Sequence, residues 1–95
     1  MEPEVVWLKP RMMNAQAIAQ AIHRYTVEQA EYEPAKIKVG VVVGRYAECK
    51  PLADLVEPEL QRHLGSYSDE DISLSTVTCW HLGNGNFGIV ATYYT

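Results

Sequence analysis

The chain has no Asp, Glu, Lys or Arg after Asp71, although eight basic and twelve acidic side chains precede or include that residue. Charged side chains normally protect an exposed sheet edge from pairing with another chain. Any β structure formed by residues 72–95 would lack this protection. The absence of charge therefore predicts that this segment is covered by its own fold, by a second copy of the chain or by another protein.

Other scarcities exclude several classes of protein. Two cysteines, Cys49 and Cys79, are too few for a disulfide framework. Ser, Thr, Asn and Gly interrupt the uncharged C-terminal segment throughout, which argues against a transmembrane helix. A formal net charge of −4 argues against indiscriminate binding to nucleic acid or to an anionic membrane. Since the start of the chain has no signal-peptide pattern, we expect one soluble, cytoplasmic domain over residues 1–95, with no membrane partner.

Charge is unevenly distributed along the chain. Residues 7–50 contain seven of the eight basic side chains and four acidic ones, whereas residues 51–71 contain one basic and six acidic side chains. A locally basic surface is therefore compatible with an acidic protein. A mixed, solvated surface is the alternative interpretation.

Residues 5–43 predict a strand, a helix and a second strand. Val5–Leu8 is a short apolar run, typical of a first strand. Asn14 is a suitable N-cap for the helix that follows, and Glu33-Pro34 is expected to end it. Ile37–Val43 includes three consecutive valines, which predict a central strand buried on both faces. The apolar stripe expected on the first helix consists of Ile18, Ala21, Ile22 and Tyr25.

Residues 51–71 predict a second helix and a polar loop. Pro51 suits the first helical turn and Gly65 suits the C-cap. Pro58 cannot donate a hydrogen bond to the carbonyl of Asp54, so a kink or two short helices are expected. A polar loop should run from Gly65 to Asp71, and its acidic residues 69–71 are interpreted as solvated rather than ion-binding. The apolar stripe expected on the second helix consists of Leu52, Leu55, Val56, Leu60 and Leu64.

Residues 72–95 predict a β-hairpin that turns at Asn84-Gly85. Asn-Gly is favoured there because both central residues of a type I′ turn have positive φ. With this loop, Trp80 would pair with Ile89, and the face that carries them is assigned to the core beneath the helices. The other face would hold Ser73, Ser75, Val77, Cys79 and His81 opposite Gly88, Val90, Thr92 and Tyr94.

The predicted fold is an α/β (α+β) domain of the order β-α-β-α-β-β. Two helices cover one face of a four-stranded mixed sheet that ends in the C-terminal hairpin. The second hairpin face is neutral, and we interpret it as the contact surface of a small, non-enzymatic module that forms a homodimer and binds another protein. A solvated sheet surface rich in Ser and Thr is the alternative. The expected interface residues are Trp80, Val77, Cys79, His81, Val90, Thr92, Tyr93 and Tyr94, with Trp80, Tyr93 and Tyr94 as aromatic anchors.

Cys79 and His81 are two apart in a strand, so their side chains should point the same way. Such a pair could ligate a metal ion or act as nucleophile and base. A closed metal site needs further ligands, and Cys49, His23 and His63 have no recognised spacing from this pair. No orienting carboxylate lies nearby in sequence. We therefore predict no cofactor, no metal site and no catalytic residue.

Two segments and the order of elements resemble the Alba family of small chromatin and RNA-binding proteins. Val5–Asn14 is similar to the family's first strand, basic Lys/Pro turn and Met-Asn helix start, and Val41–Arg45 is similar to its strand and Gly-Arg pair before the second helix. The resemblance implies dimerisation and nucleic-acid binding, as an alternative to protein binding. The chain departs from the family in its negative net charge and its short, neutral hairpin loop. The implied nucleic-acid face comprises Lys9, Arg11 and Arg45, with Lys50 nearby.

Overall fold

The structure is a computed structural model that describes residues 3–66 and 71–95. Its elements are β1 (Val6–Leu8), α1 (Ala15–Ala30), β2 (Lys36–Gly44), α2 (Tyr46–Ser66), β3 (Ser73–Gly83) and β4 (Asn86–Tyr94). The strands form one sheet in the order β1-β2-β4-β3. β1 runs parallel to β2, and β4 runs antiparallel to both β2 and β3. The predicted fold class, with two helices and a mixed four-stranded sheet ending in a hairpin, is confirmed.

Helix α1 begins as the sequence predicts. Asn14 has an extended backbone, and its side-chain oxygen accepts a hydrogen bond from the backbone N–H of Ala17 at 2.8 Å. This bond satisfies one of the helix's unpaired N-terminal donors. Ile18 and Ile22 are fully buried, as expected of the apolar stripe. The helix ends at Ala30, slightly before the predicted stop.

Helix α2 differs from the prediction at both ends. It begins at Tyr46, well before Pro51, and continues to Ser66, so Gly65 lies within the helix rather than at its C-cap. Pro58 also lies within it, and two separate helices are not formed. Tertiary packing stabilises most protein helices, and here it outweighs the hydrogen bond that the proline removes. The buried face that packs on the sheet consists of Cys49, Ala53, Val56 and Leu60.

Leu55, assigned to the apolar stripe, is 59% exposed because it lies on the outer side of α2. Within the predicted polar loop, residues 67–70 lie outside the described residues, and with them Asp69 and Glu70 of the acidic run.

The core lies between the helices and one face of the sheet. β2 and β4 form the centre of the sheet and contribute its most deeply buried side chains. Val42 on β2 is nevertheless 50% exposed, so the prediction that this strand is buried on both faces is wrong. The helices cover one face only, and Val42 points to the other. The core residues on the strands are Ile37, Val39, Val41, Ile89, Ala91 and Tyr93, and Ile72 joins them from just before β3.

The hairpin turn is formed as predicted, but the register of β3 is not. Asn84 and Gly85 have φ of +54° and +75°, as a type I′ turn requires. Next to the turn, an irregularity at Leu82 shifts the register, so that Trp80 pairs with Gly88 rather than with Ile89. A shift of one residue exchanges the two faces of a strand. The predicted faces of β3 are therefore reversed from Thr76 to His81, whereas Leu74, beyond a second irregularity at Ser75, pairs with Tyr93 and packs against the core.

The reversal changes which predicted interface residues share a face. Cys79 pairs with Ile89, and Val77 pairs with Ala91; both pack against the core beneath the helices. Trp80 lies on the opposite face. The expected grouping of Val77, Cys79 and His81 with Val90, Thr92 and Tyr94 is therefore wrong.

Candidate interaction surface

The sheet face opposite the helices, called the open face below, is uncovered by any helix. It follows from the strand registers, because Trp7, Val42 and Trp80 each pair with Gly40 or Gly88, on the face away from the core residues Val39, Val41 and Ile89. None of its strand residues carries a carboxylate. Its members are Trp7 on β1, Lys36, Lys38, Gly40 and Val42 on β2, Gly88, Val90, Thr92 and Tyr94 on β4, and Thr76, Thr78 and Trp80 on β3.

The indole of Trp7 lies on the open face across two glycines. A Cβ atom placed on Gly40 would lie 2.8 Å from Cζ3 of Trp7, and one on Gly88 would lie 2.6 Å from the same atom. Only glycine permits so close an approach of a ring to the strand backbone. The sequence carried this signal, since glycine interrupts the interior of both strands, but the partner of the glycines could not be read from it.

Two aromatic side chains of the open face lie beneath lysine side chains. The Lys38 Nζ atom is 5.3 Å from the ring centroid of Trp80, and the Lys36 Nζ atom is 5.4 Å from that of Tyr94. These distances are in the range of cation–π attraction. Trp80 and Tyr94 remain 39% and 43% exposed. Tyr93, the third predicted anchor, is fully buried on the helix side, where burial raises the pKa of its hydroxyl.

Strand β3 forms one edge of the sheet, because β4 is its single neighbour. From Ser73 to Gly83 it carries no charged side chain and no proline. Register irregularities at Ser75 and Leu82 bracket a regular stretch, Thr76–His81. The described strands leave the outer side of this stretch unpaired, so its backbone groups are available for a further strand.

Two of the four predicted basic residues line one groove. Lys9 and Arg11 follow β1 and line a groove against α1, together with Arg24, which the sequence analysis did not include. The groove has a volume of about 480 Å³, and no acidic residue lines it. Its remaining lining residues are Pro10, Ala17, Gln20 and Ala21.

Arg45 and Lys50 do not line this groove. The guanidinium of Arg45 rests against the hairpin turn, where its Nη1 atom is 3.3 Å from the position of a Cβ on Gly85. The Nζ atom of Lys50 is 2.9 Å from Oδ1 of Asp54, one turn further along α2. This hydrogen bond raises the pKa of Lys50. Arg24 lies on the same face of α1 as Ala17 and Ala21, which also line the groove. This helical spacing is the one sequence signal that could have placed Arg24 with Lys9 and Arg11.

The chain's two cysteines and two of its histidines form pairs that sequence spacing did not predict. Cys49 and Cys79 both pack in the core beneath the helices, and burial of Cys49, followed by its interaction with Cys79, raises the pKa of Cys49 to about 12. The rings of His23 and His63 stack at 4.9 Å between α1 and α2. His81 contacts the ring of Phe87. Among residues 3–66 and 71–95, no three His, Cys, Asp or Glu side chains are grouped to hold a metal ion.

Neither α1 nor α2 has the combination of length and apolar character that a bilayer-spanning helix requires. The chain matches no protein-family model, no curated protein and no solved structure. The open face, the uncharged edge and the basic groove are therefore interpreted from their own chemistry.

Proposed function

We propose that the protein is a small self-associating binding module in which two copies pair through the outer edge of β3. The observation that carries this proposal is the uncharged edge strand from Ser73 to Gly83. Two copies related by a two-fold axis would place their β3 strands antiparallel. The outward backbone groups of Thr76–His81 would then bond to the same groups of the second copy.

Side-chain chemistry favours a second copy at this edge. Thr76 and Thr78 would face threonine or aromatic side chains across the two-fold axis, and such pairs stabilise antiparallel strands. Stacking of two open faces is less favourable, because it would bring the lysine ammonium groups of both copies together on a surface whose strand residues lack carboxylates. Edge pairing avoids this repulsion.

The joined sheet would present a wider surface to a further protein partner. Pairing through β3 forms a continuous sheet of two four-stranded halves, in which the open faces lie side by side. Trp80 would lie near the junction, and Val42 and Tyr94 would extend the exposed apolar surface on each side. Aromatic side chains of this kind are typical centres of protein interfaces.

The test is a change of charge in the middle of the β3 edge. Thr78→Lys places an ammonium group where the second strand would pair, so we expect a monomer where the wild type is a dimer. Sedimentation velocity at micromolar concentration measures the change, with circular dichroism as the check on folding. Thr78→Val keeps the strand uncharged and should remain dimeric.

Gln61→Lys adds the same charge on the exposed side of α2 and should also remain dimeric. A wild-type protein that stays monomeric throughout the micromolar range would contradict the proposal. So would equal dissociation by Thr78→Lys and Gln61→Lys, because that result would reflect net charge rather than the β3 edge.

Nucleic-acid binding is the second candidate function, and the groove lined by Lys9, Arg11 and Arg24 favours it. Three basic side chains surround this groove without an acidic one, in a chain whose net charge is −4. Phosphate groups are the ligands that such a groove suits. The resemblance of the first segment to the Alba family also assigns Lys9 and Arg11 to a nucleic-acid face.

A further inference from the structure

The fold brings the chain's two cysteines together from distant parts of the sequence. Cys49 lies on the buried face of α2, and Cys79 lies on the helix side of β3. The irregularity at Leu82 is what turns Cys79 toward α2, since the register without it would point this side chain to the open face. Cys49 is fully buried, and Cys79 is partly exposed and packs against the same core cluster.

We propose that Cys49 and Cys79 are an oxidisable dithiol, which hydroperoxides convert into a disulfide that joins α2 to β3. Both side chains pack in the same core, and α2 packs on β3 more extensively than on β2 or β4. A disulfide brings its two Cβ atoms to within about 4.5 Å of each other, so the proposal requires α2 and β3 to hold the two side chains next to each other. Neither cysteine is in a disulfide in the structure.

The reaction proceeds in two balanced steps. The Cys79 thiolate attacks one oxygen of the hydroperoxide, an S–O bond forms, the O–O bond breaks, and the other oxygen leaves and is protonated to an alcohol, or to water when the oxidant is hydrogen peroxide. The Cys49 sulfur then attacks the sulfenic acid sulfur. An S–S bond forms, the S–O bond breaks, and the departing hydroxide takes the Cys49 proton as water. Two electrons pass from the two thiols to the hydroperoxide.

The surroundings of the two thiols assign them these different roles. Cys79 is partly exposed, so a small oxidant reaches it first. Cys49 is sealed in the core, and its raised pKa keeps it as a thiol until Cys79 has been oxidised.

The test uses the reduced full-length protein and hydrogen peroxide. After oxidation, the protein is denatured and alkylated with N-ethylmaleimide, and its intact mass and proteolytic peptides are measured. We expect the loss of two hydrogens, no alkylation, and a peptide pair joining Cys49 to Cys79 within one chain. A disulfide closes the chain between Cys49 and Cys79 into a loop and restricts the unfolded state. It should therefore raise the thermal unfolding midpoint by about 10 °C or more relative to the reduced protein.

Two variants test the assigned roles. In Cys49→Ser, Cys79 should stop at the sulfenic acid, which dimedone traps; in Cys79→Ser, Cys49 should resist peroxide in the folded protein. Two free thiols in the treated wild type would overturn the proposal. So would a disulfide between chains, or sulfinic acid at Cys79 with Cys49 still reduced. The wild-type mass and peptide results decide the question even where a serine variant does not fold.

Discussion

Two glycines on neighbouring strands hold the Trp7 indole against the open face, and they differ in what else surrounds them. A Cβ on Gly88 would meet Trp7 at 2.6 Å and the Val41 carbonyl oxygen at 3.0 Å. A Cβ on Gly40 would meet the Ile89 carbonyl oxygen at 2.6 Å as well as Trp7. A flexible ring can move away from a new methyl group more readily than a strand backbone can.

We therefore predict that Gly40→Ala and Gly88→Ala each lower the free energy of unfolding by about 1–3 kcal/mol, since both overpack a filled site. Combination with Trp7→Ala should relieve most of the Gly88→Ala defect and little of the Gly40→Ala defect. Urea unfolding of the single and double variants measures the two coupling energies. Equal coupling for both glycines would contradict this account.

Adjacent tyrosines illustrate what residue patterns alone could not decide. Tyr93 is fully buried on the helix side, whereas Tyr94 lies on the open face. Alternation along a strand fixes that neighbouring side chains point to opposite faces, but it does not say which face is covered. Both tyrosines are expected anchors from the sequence, and only Tyr94 is available to a partner in the structure.

At the scale of elements, strong local signals predicted the order of strands and helices. The faces on which Cys79 and Trp80 lie depended instead on the irregularity at Leu82. Asn14 and Asn84-Gly85 each have specific backbone preferences, so the first helix start and the hairpin turn could be predicted. The irregularity at Leu82 has no comparable local signature, because leucine has no special preference for such a position. Tertiary packing placed Cys79 under α2 and turned Trp80 outward. The site residues on β3 were therefore assigned to the wrong faces.

The packing of α1 on α2 should depend on pH through the stacked rings of His23 and His63. Burial, followed by the proximity of His63, lowers the pKa of His23 below its ordinary value of 6.5. The folded state thus binds fewer protons than the unfolded state as the pH falls below about 6.5. We expect full stability above that value and a progressive loss below it, because His23 takes up a proton in the unfolded state more readily than in the folded state.

Urea unfolding at about pH 7.5 and about pH 5.5 measures this loss. His63→Gln should reduce the pH dependence in part, because burial of His23 remains as its larger cause. His23→Gln should reduce it further. A pH dependence that is the same in the wild type and in His23→Gln would show that other groups are responsible.

For the molecule as a whole, the two proposed binding surfaces lie at opposite edges of the sheet. The groove of Lys9, Arg11 and Arg24 lies next to β1, whereas the uncharged edge is β3, and the strand order places these strands at the two ends. A dimer formed through β3 would therefore keep both grooves open. Its two outermost strands would be about 34 Å apart, from the usual spacing of neighbouring strands. One nucleic-acid strand could then contact both grooves. Once it is bound to one groove, it is held close to the other, and this high effective concentration would strengthen binding.

This arrangement predicts how nucleic-acid binding should respond to salt and to mutation. The affinity for a single-stranded oligonucleotide, measured by fluorescence anisotropy, should fall steeply between about 50 mM and about 200 mM salt. Arg11→Ala/Arg24→Ala should weaken binding and reduce the slope of log affinity against log salt by about 1.4, since each lost phosphate contact on a single strand contributes about 0.7. Lys50→Ala/Arg62→Ala removes the same charge from side chains paired with Asp54 and Glu59, and should change binding little.

Thr78→Lys, as a monomer, should bind more weakly than the wild type but with the basic groove intact, so its affinity should still depend on Arg11 and Arg24. Comparison of Thr78→Lys with and without Arg11→Ala/Arg24→Ala, by the same anisotropy measurement, separates dimerisation from phosphate contact. If no oligonucleotide binds at about 50 mM salt, the groove does not serve nucleic acid, because electrostatic contacts are strongest at low ionic strength. Self-association through β3 would then stand as an independent property, since no side chain of the groove lies on that edge.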